Sequence, residues 1–230
     1  MLIYGKNVAL EYLNNKRIKK AYISDNFKDK RIIALLNKKN IKITYLKKQE
    51  MDKKFPTLNQ GIVLDVDDYQ YQQLDILEDK SLVVMLDHLE DPHNFGAIIR
   101  TCEAANVDGI IIPKDRSVSV NETVVKTSTG TTDKVNIIKV SNLVNAINYL
   151  KNNGYWIIGT DMNGTNYSDI DYSGKICIIC GNEGRGLSDL VKKNCDFIAS
   201  IPMKGTVNSL NASVATGIIL FNALRIRGVK

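Results

Sequence analysis

The spacing of apolar and polar positions divides the chain at a polar, acidic stretch over residues 67–80. Before this stretch, short segments with helical spacing alternate with segments that have the two-residue period of strands. The pattern therefore predicts a small α/β domain over residues 1–66 and a linker over residues 67–80. One predicted helix contains Val8, Leu10 and Leu13, and a second covers residues 31–37. The predicted strands are 21–24, 41–46 and 61–66.

From residue 81 onward, short apolar runs alternate with helical patterns up to the last residue. Strands separated by helices imply βαβ units, so we predict an α/β domain over residues 81–230 with a mainly parallel sheet. The apolar run that starts at Leu210 is too long for one strand and predicts a final helix, with Asn208 and Ser209 as its N-caps. The predicted strands are 82–86, 109–112, 135–140, 156–159, 176–180 and 197–201.

Charge is distributed unevenly along the 230 residues. Residues 1–60 contain 15 Lys and Arg against five Asp and Glu, whereas residues 81–230 contain 15 against 14. Lysine and arginine neutralise phosphates, so the first domain is a candidate RNA-binding surface. A lysine-rich solvated surface without a ligand is the alternative.

The remaining composition is that of an ordinary globular protein, with 44% hydrophobic and 24% charged residues. We find no apolar run long enough to span a membrane and no signal peptide, which predicts a cytoplasmic protein. The four cysteines suit a reducing compartment, and Cys177 and Cys180 lie in a predicted buried strand, where we expect them to pack in the core. The histidines and cysteines lack the spacing of a metal site.

Three loops that follow predicted strands are rich in glycine and polar residues. They are GTDMNG (159–164), CGNEGRG (180–186) and IPMKGTVNSL (201–210). If they meet at one sheet edge, they form a site that reads a ligand through main-chain groups and apolar walls. The glycine spacing G-x-x-G-x-G differs from the dinucleotide fingerprint, which disfavours a nicotinamide-dependent oxidoreductase.

A fourth polar segment, DPHNFGAIIRT, follows the predicted strand 82–86. Asn94 provides an amide donor and acceptor, and Arg100 lies six residues further along a helix. We expect both side chains to face one cleft, where arginine suits a phosphate. The alternative from the residues alone is that Asn94 caps a helix and Arg100 forms a salt bridge.

Three segments, 91–112, 176–191 and 201–227, resemble in the same order the signature motifs of the SpoU family of RNA ribose 2′-O-methyltransferases. The resemblance implies a SPOUT fold with a trefoil knot, S-adenosylmethionine as cofactor, and a homodimer. Residues 1–66 resemble, through IYGKNVALEYL and NQGIVLDV, the L30e-like substrate-binding domain of such enzymes. The resemblance implies cofactor contacts at Thr160, Gly181, Gly186, Ile201, Met203 and Leu210, and catalytic roles for Asn94, Arg100, Glu183, Ser209 and Asn211.

Within the family, the layout most resembles enzymes that methylate guanosine 2′-hydroxyls in 23S rRNA. Enzymes that act on tRNA guanosine are the second candidate, and Asn59, where relatives often have histidine, leaves the substrate open. Arg100 matches a residue proposed as the base, but a guanidinium stays protonated in proteins, so a phosphate contact is the alternative role. A catalytically silent RNA-binding protein of the same fold is the alternative from a different functional class.

Overall fold

The computed structural model describes residues 1–15, 18–55, 59–182, 184–207 and 209–228. By contacts, these residues form two compact units. The first unit contains residues 1–70 and 120–130, and the second contains residues 71–119 and 131–230.

The first unit is built on a four-stranded mixed sheet. Its elements are β1 (Leu2–Tyr4), α1 (Lys6–Asn15), β2 (Ile18–Ser24), α2 (Lys30–Lys38), β3 (Ile43–Leu46), α3 (Lys48–Lys54) and β4 (Ile62–Val66). Strand β2 pairs in parallel with β3, whereas β4 is antiparallel to both β1 and β2, giving the order β1-β4-β2-β3. Helices α1 and α2 cover one face around Leu13, Ile32 and Leu36, and Met51 of α3 and the following Phe55 pack on the other face.

The second unit contains a six-stranded sheet in which every pairing is parallel, as the alternating pattern predicts. The strand order is β10-β8-β9-β5-β6-β7, and central strands β5 and β9 are buried along their whole length, as expected for a sheet covered on both faces. The elements are β5 (Leu82–Leu86), α4 (Pro92–Ala104), β6 (Gly109–Pro113), α5 (Glu122–Thr127), β7 (Ile137–Val140), α6 (Leu143–Asn152), β8 (Trp156–Asn166), β9 (Ile176–Cys180), α7 (Asp189–Lys193), β10 (Phe197–Ser200) and α8 (Ala212–Ile226).

Helix α5 belongs to the first unit although it lies between β6 and β7 in the chain. Asn121 caps it by accepting a hydrogen bond from the Val124 amide (3.0 Å), and Val125 is buried in the core of the first unit. The second domain predicted from the sequence, residues 81–230, includes this segment, so the predicted boundary is wrong here. A six-residue helix is too short for its periodicity to indicate which of two cores it joins.

The acidic stretch is a linker only in part, because residues 71–80 belong to the second unit. Leu74–Leu77 forms a 3₁₀ helix, and Leu77 is fully buried in the core of that unit. The Tyr155 hydroxyl donates a hydrogen bond to the Leu77 carbonyl (2.7 Å). Leu74 and Ile76 pack against the same core, and the Tyr149 hydroxyl donates a hydrogen bond to Glu78 Oε1 (2.6 Å). Asp75, Glu78 and Asp79 are exposed, so the acidic composition of this stretch hides its apolar contacts in the sequence.

Strand β8 extends beyond the predicted end at residue 159, with a break in its pairing. Ile198 of β10 lies opposite Gly159, whereas the next residue, Ala199, lies opposite Thr165. Residues 160–164 therefore leave the ladder as an excursion between two paired segments. A Cβ atom at Gly164 would overlap the Ile198 carbonyl, so the return of the chain requires glycine at this position.

The final helix begins slightly later than predicted. Asn211, not Ser209, is the N-cap of α8, and its side-chain oxygen accepts hydrogen bonds from the amides of Ser213 (2.9 Å) and Val214 (3.4 Å). The second predicted cap, Asn208, lies outside the described residues. Among the helices of the described ranges, none is long and apolar enough to cross a membrane.

Candidate functional site

A cavity of about 380 Å³ opens where the neighbouring strands β10, β8 and β9 reach their carboxyl ends. Its walls are the excursion of β8, the loop after β9, the segment after β10 and the first turns of α8. The three glycine-rich loops of the sequence analysis therefore do meet at one sheet edge. All six residues predicted to contact a cofactor line this cavity, together with Ser209: Thr160, Gly181, Gly186, Ile201, Met203 and Leu210.

The loop after β9 folds back on itself at the cavity wall. The amide of Asn182 donates to the Gly186 carbonyl (3.0 Å), and the Gly186 amide donates to the Asn182 carbonyl (2.9 Å). A Cβ atom at Gly181 would overlap the Gly186 carbonyl group and the Leu187 nitrogen. Only glycine permits this approach of two backbone segments, and Gly186 has a positive φ of 67°.

The Asn182 side chain, which sequence analysis did not single out, fixes the same loop. Its Oδ1 accepts hydrogen bonds from the amides of Gly184 (2.9 Å) and Arg185 (3.3 Å). Its Nδ2 donates to the His88 carbonyl (3.0 Å) and so joins the loop to the segment after β5. The only sequence signal for this role is an asparagine directly after the turn glycine, which is common in loops.

A buried carboxylate, Asp87, provides a second connection between these segments. Asp87 directly follows β5 and its side chain is 1% exposed. Its Oδ1 lies 2.5 Å from His88 Nδ1, and its Oδ2 accepts a hydrogen bond from the Ser188 amide (2.6 Å). A buried carboxylate is stable only when hydrogen-bonded or paired, so these contacts fix its position. Asp87 thus supports the start of α7 and the end of the loop that lines the cavity.

Asn94 and Asn211 lie in contact although 117 positions separate them. Asn94 is buried in the first turn of α4, where its Oδ1 accepts a hydrogen bond from Asn211 Nδ2 (2.8 Å). Asn211 uses its own Oδ1 to cap α8 and to accept from the Ser213 hydroxyl (2.6 Å). The predicted pair therefore joins the first turns of two helices beside the cavity, because Ala212 of α8 is one of its wall residues.

Contrary to our prediction, Arg100 and Asn94 do not face the same cleft. Six residues correspond to about 600° around a helix, which leaves the two side chains about 120° apart. Asn94 is turned toward α8, whereas Arg100 is exposed and does not line the cavity. Within the described part of the chain, Arg100 forms no salt bridge, so its guanidinium is available to a ligand in solution.

The fifth predicted catalytic residue, Glu183, lies outside the described residues. The cavity also contains an ion pair that the sequence did not predict, in which Lys192 Nζ of α7 lies 2.8 Å from Asp161 Oδ2. Burial acts to raise the pKa of Asp161, but the hydrogen bonds from Lys192 and the Asn163 amide outweigh it and lower that pKa below its usual value. Asp161 is therefore a carboxylate at neutral pH, and the positive charge of Lys192 balances it at the cavity wall.

Cys180 also lines the cavity, but its chemistry is that of a packing residue. Burial raises the pKa of Cys180 to about 11, so the thiol stays protonated at neutral pH. The Thr216 hydroxyl lies 3.1 Å from its Sγ. Cys177 is buried in the core of the second unit, in agreement with the prediction that this pair serves packing.

Comparison with known proteins assigns the family. Residues 81–221 match the SpoU rRNA methylase family, and residues 2–72 match the substrate-binding domain of RNA 2′-O ribose methyltransferases. A TrmH family tRNA/rRNA methyltransferase relative from Staphylococcus saprophyticus is 41% identical, over 99% of this chain and 96% of the relative. A second such relative, YacO from Bacillus subtilis, is 36% identical over 98% of this chain and 95% of its own length.

Solved structures share the fold over nearly the whole chain. The SpoU methyltransferase AviRb from Streptomyces viridochromogenes, in complex with AdoMet, superimposes with a TM-score of 0.86 at 24% identity, covering 100% of this chain and 91% of AviRb. An AdoMet-bound rRNA methyltransferase from Sinorhizobium meliloti gives a TM-score of 0.84 at 26% identity, covering 97% of this chain and 86% of that one. The chain therefore belongs to the SpoU/TrmH family of RNA methyltransferases, which use S-adenosylmethionine.

The cavity has the size and lining of a ligand site. Its volume lies in the range of ligand pockets, and its lining combines a tight glycine-containing loop, apolar side chains such as Ile201, Leu210 and Ile219, and the Asp161–Lys192 ion pair. Within the described residues, no group of His, Cys, Asp and Glu side chains could hold a metal ion.

The glycine at position 181 provides a direct test of this cavity. Gly181→Ala should weaken binding of S-adenosylhomocysteine about tenfold or more, because the methyl group must displace the backbone of residues 186–187 by overlap that no rotamer relieves. Isothermal titration calorimetry of the purified full-length protein measures the dissociation constant.

Gly184→Ala is the matched control in the same loop. A Cβ atom there meets only Asn182 Oδ1 at 3.6 Å, an ordinary contact, so affinity should stay within about twofold of the wild type. Equal affinities for the wild type and both variants would show that the loop does not form the ligand wall.

Proposed function

We propose that this protein transfers the methyl group of S-adenosylmethionine to a ribose 2′-hydroxyl of RNA, and that the target is a guanosine of 23S rRNA. The observation that supports the reaction best is the cavity at the carboxyl ends of β10, β8 and β9, with the Asn94–Asn211 pair beside it. Ligands bind beyond the carboxyl ends of strands in open α/β sheets.

The cofactor would be held mainly by backbone. Gly181, Gly186 and Ile201 provide main-chain groups, Leu210 and Met203 provide apolar walls, and Thr160 provides a hydroxyl. S-adenosylmethionine supplies an electrophilic methyl group whose leaving group is a neutral thioether, so the leaving group requires no acid. We also propose that the loops 180–186 and 201–210 form a trefoil knot, and that the first unit has an L30e-like fold.

The acceptor must lose its proton and meet the methyl group in line. Ser209 lines the cavity, and the hydrogen-bonded Asn94–Asn211 pair lies beside it, where amide groups can orient a ribose. We assign these three side chains, with Glu183, to positioning the 2′-hydroxyl. Positioning of this kind accounts for a large part of the rate enhancement in two-substrate reactions.

We assign Arg100 to the target phosphate and not to proton abstraction. A guanidinium retains its proton at all relevant pH values, which makes it a poor base and a good partner for a phosphodiester. Its exposure, and the absence of a salt bridge to it within the described residues, leave it available for incoming RNA. Placed beside the target nucleotide, it also stabilises negative charge that develops on the ribose oxygen.

Arg100→Ala should reduce methyl transfer about 100-fold while folding and S-adenosylhomocysteine affinity stay unchanged, because a positioned charge is lost outside the cavity. Arg100→Lys should recover part of the loss, and Arg116→Ala, at another exposed arginine, should have no effect. Single-turnover methylation of an rRNA fragment measures the rate.

Normal turnover by Arg100→Ala would show that Arg100 takes no part in the mechanism. No transfer by the wild type to any RNA would favour a silent RNA-binding protein.

The choice of 23S rRNA rests on the layout of the matching structures. The rRNA methyltransferase from Sinorhizobium meliloti matches 97% of this chain, whereas the TrmH/SpoU tRNA modifying enzyme from A. aeolicus, at 34% identity, matches 67% with a TM-score of 0.59. The rRNA enzyme thus shares both units. A tRNA guanosine remains the second candidate because of the higher identity of the tRNA enzyme.

Mapping of 2′-O-methyl groups in a deletion strain distinguishes these substrates. We expect one guanosine of 23S rRNA to lose its modification and to regain it when the wild-type protein is supplied from a plasmid. The tRNA pool should be unchanged. Loss confined to tRNA would contradict the rRNA assignment and leave the methyltransferase reaction intact.

We further propose a homodimer formed through α8. This helix keeps an apolar face open: Val214 and Phe221 are each 50% exposed, two turns apart, with the partly exposed Gly217 and Ile218 between them. Exposed apolar surface of this kind is unfavourable in water and marks an interface. The opposite side of α8 lines the cavity through Ala212, Ala215 and Ile219, so a second copy would lie close to the site.

Phe221→Asp should convert the dimer into a monomer, because a charge would be buried in an apolar interface. Light scattering of the full-length protein at micromolar concentration measures the mass. Leu190→Asp is the control, since Leu190 is 67% exposed on α7, outside the proposed interface. A wild-type protein that is monomeric at this concentration, or a Phe221→Asp variant that still dimerises, would refute the α8 interface.

A further inference from the structure

The first unit contains a cavity of its own, with a volume of about 540 Å³. Three lysines line it, and each comes from a different part of the unit: Lys6 begins α1, Lys28 lies between β2 and α2, and Lys48 begins α3. Asp52 is the single acidic residue of the lining. Three convergent cations against one anion make the cavity electropositive, a property of sites that bind phosphates.

None of these lysines is neutralised within the described part of the chain. The ion pairs of the first unit join the N-terminal amino group to Asp68 and Lys19 to Asp67, and leave the three ammonium groups of the cavity without a carboxylate partner. Lys6 lies over the Phe27 ring, as Lys20 and Lys54 lie over Tyr22. The cavity therefore concentrates positive charge that no carboxylate of the described residues neutralises.

The floor of the cavity is held in place by hydrogen bonds. Asn59 is 5% exposed, donates through Nδ2 to the Phe55 carbonyl (3.1 Å) and accepts through Oδ1 from the Gly61 amide (2.8 Å). Gln60, in the left-handed region with φ 52°, accepts through Oε1 from the Lys6 amide (2.9 Å). These contacts fix the floor before any ligand arrives, which lowers the entropy cost of binding.

The wall of the cavity contains an aromatic ring and side-chain amides. Phe27 lines the cavity, and Lys6 Nζ lies 5.4 Å from the centre of its ring. The amide groups of Asn26 and Gln60 add hydrogen-bond donors and acceptors to the same lining. Proteins bind single-stranded nucleotides with this combination of an aromatic ring, ammonium groups and amides: the base stacks on the ring, and the phosphates contact the cations.

We propose that this cavity binds one unpaired nucleotide of the substrate RNA, separate from the nucleotide that is methylated. Lys28 and Lys48 contact its flanking phosphates, Lys6 contacts its own phosphate, and its base lies against Phe27. The inference rests on the proposed function, because it takes RNA as the substrate. It adds a second recognition point that favours RNA carrying an unpaired nucleotide besides the target nucleotide.

Lysine substitutions on the full-length protein test the phosphate contacts. The double variant Lys28→Ala, Lys48→Ala should weaken binding of a short fluorescein-labelled oligouridylate about tenfold, and should lower the slope of log affinity against log salt by about 1.4, or about 0.7 for each contact. The control variant Lys38→Ala, Lys39→Ala removes the same charge from exposed positions at the end of α2 and should change both quantities much less. Fluorescence anisotropy across a salt series measures them.

A conservative substitution tests the base contact. Phe27→Leu keeps an apolar side chain in the core but removes the ring, and it should weaken oligouridylate binding about fivefold or more without changing the salt slope. Thermal melting monitors folding of every variant. With an rRNA fragment, the lysine variant should raise the KM for RNA, while kcat and S-adenosylhomocysteine affinity stay at wild-type values.

Each outcome distinguishes this site from the methylation reaction. Equal losses in the two lysine pairs would overturn the inference, because general surface charge would then explain the binding. Wild-type affinity of Phe27→Leu would also overturn it, since a nucleotide pocket requires the base contact. If the wild type bound oligouridylate through these residues but methylated no RNA, the cavity would stand as an RNA site and the proposed function would fail.

Discussion

The approach of the backbone at Gly181 to residues 186–187 is the constraint on which the rest of the site depends. It folds the loop after β9 into a tight return, which Asn182 fixes from within and Asp87 fixes through the Ser188 amide. One side of the return forms a cavity wall, and the other connects to the segment after β5. A side chain at position 181 would disrupt the contacts of both Asn182 and Asp87, because these contacts hold the same stretch of backbone.

The neighbouring elements form the other walls of the cavity. The break in β8 opposite Ile198 and Ala199 releases residues 160–164 to form a second wall, and the Asn94–Asn211 hydrogen bond sets the first turn of α8 against α4. Three glycines and several apolar side chains line this cavity, with one ion pair between Asp161 and Lys192, so its sequence signal is weaker than that of a metal site.

Much of this organisation can be predicted from the sequence, because strand endings followed by glycine-rich loops imply one shared sheet edge. The cofactor residues depend on the resemblance to the SpoU family, since spacing alone could not assign Ile201 or Leu210 to a ligand. The prediction that Arg100 shares a cleft with Asn94 was wrong, because six residues along a helix leave the two side chains about 120° apart. The packing of α5 in the first unit and of Leu77 in the second could not be foreseen, because one short turn has no period that identifies its core.

The position of the transferred methyl group tests the central claim most directly. The full-length protein is incubated with rRNA and S-adenosylmethionine labelled in its methyl group, and the RNA is then hydrolysed in alkali. Alkaline cleavage requires a free 2′-hydroxyl, so ribose methylation predicts that the label is recovered in alkali-resistant dinucleotides. Label recovered in mononucleotides would mean methylation of a base and would contradict the account.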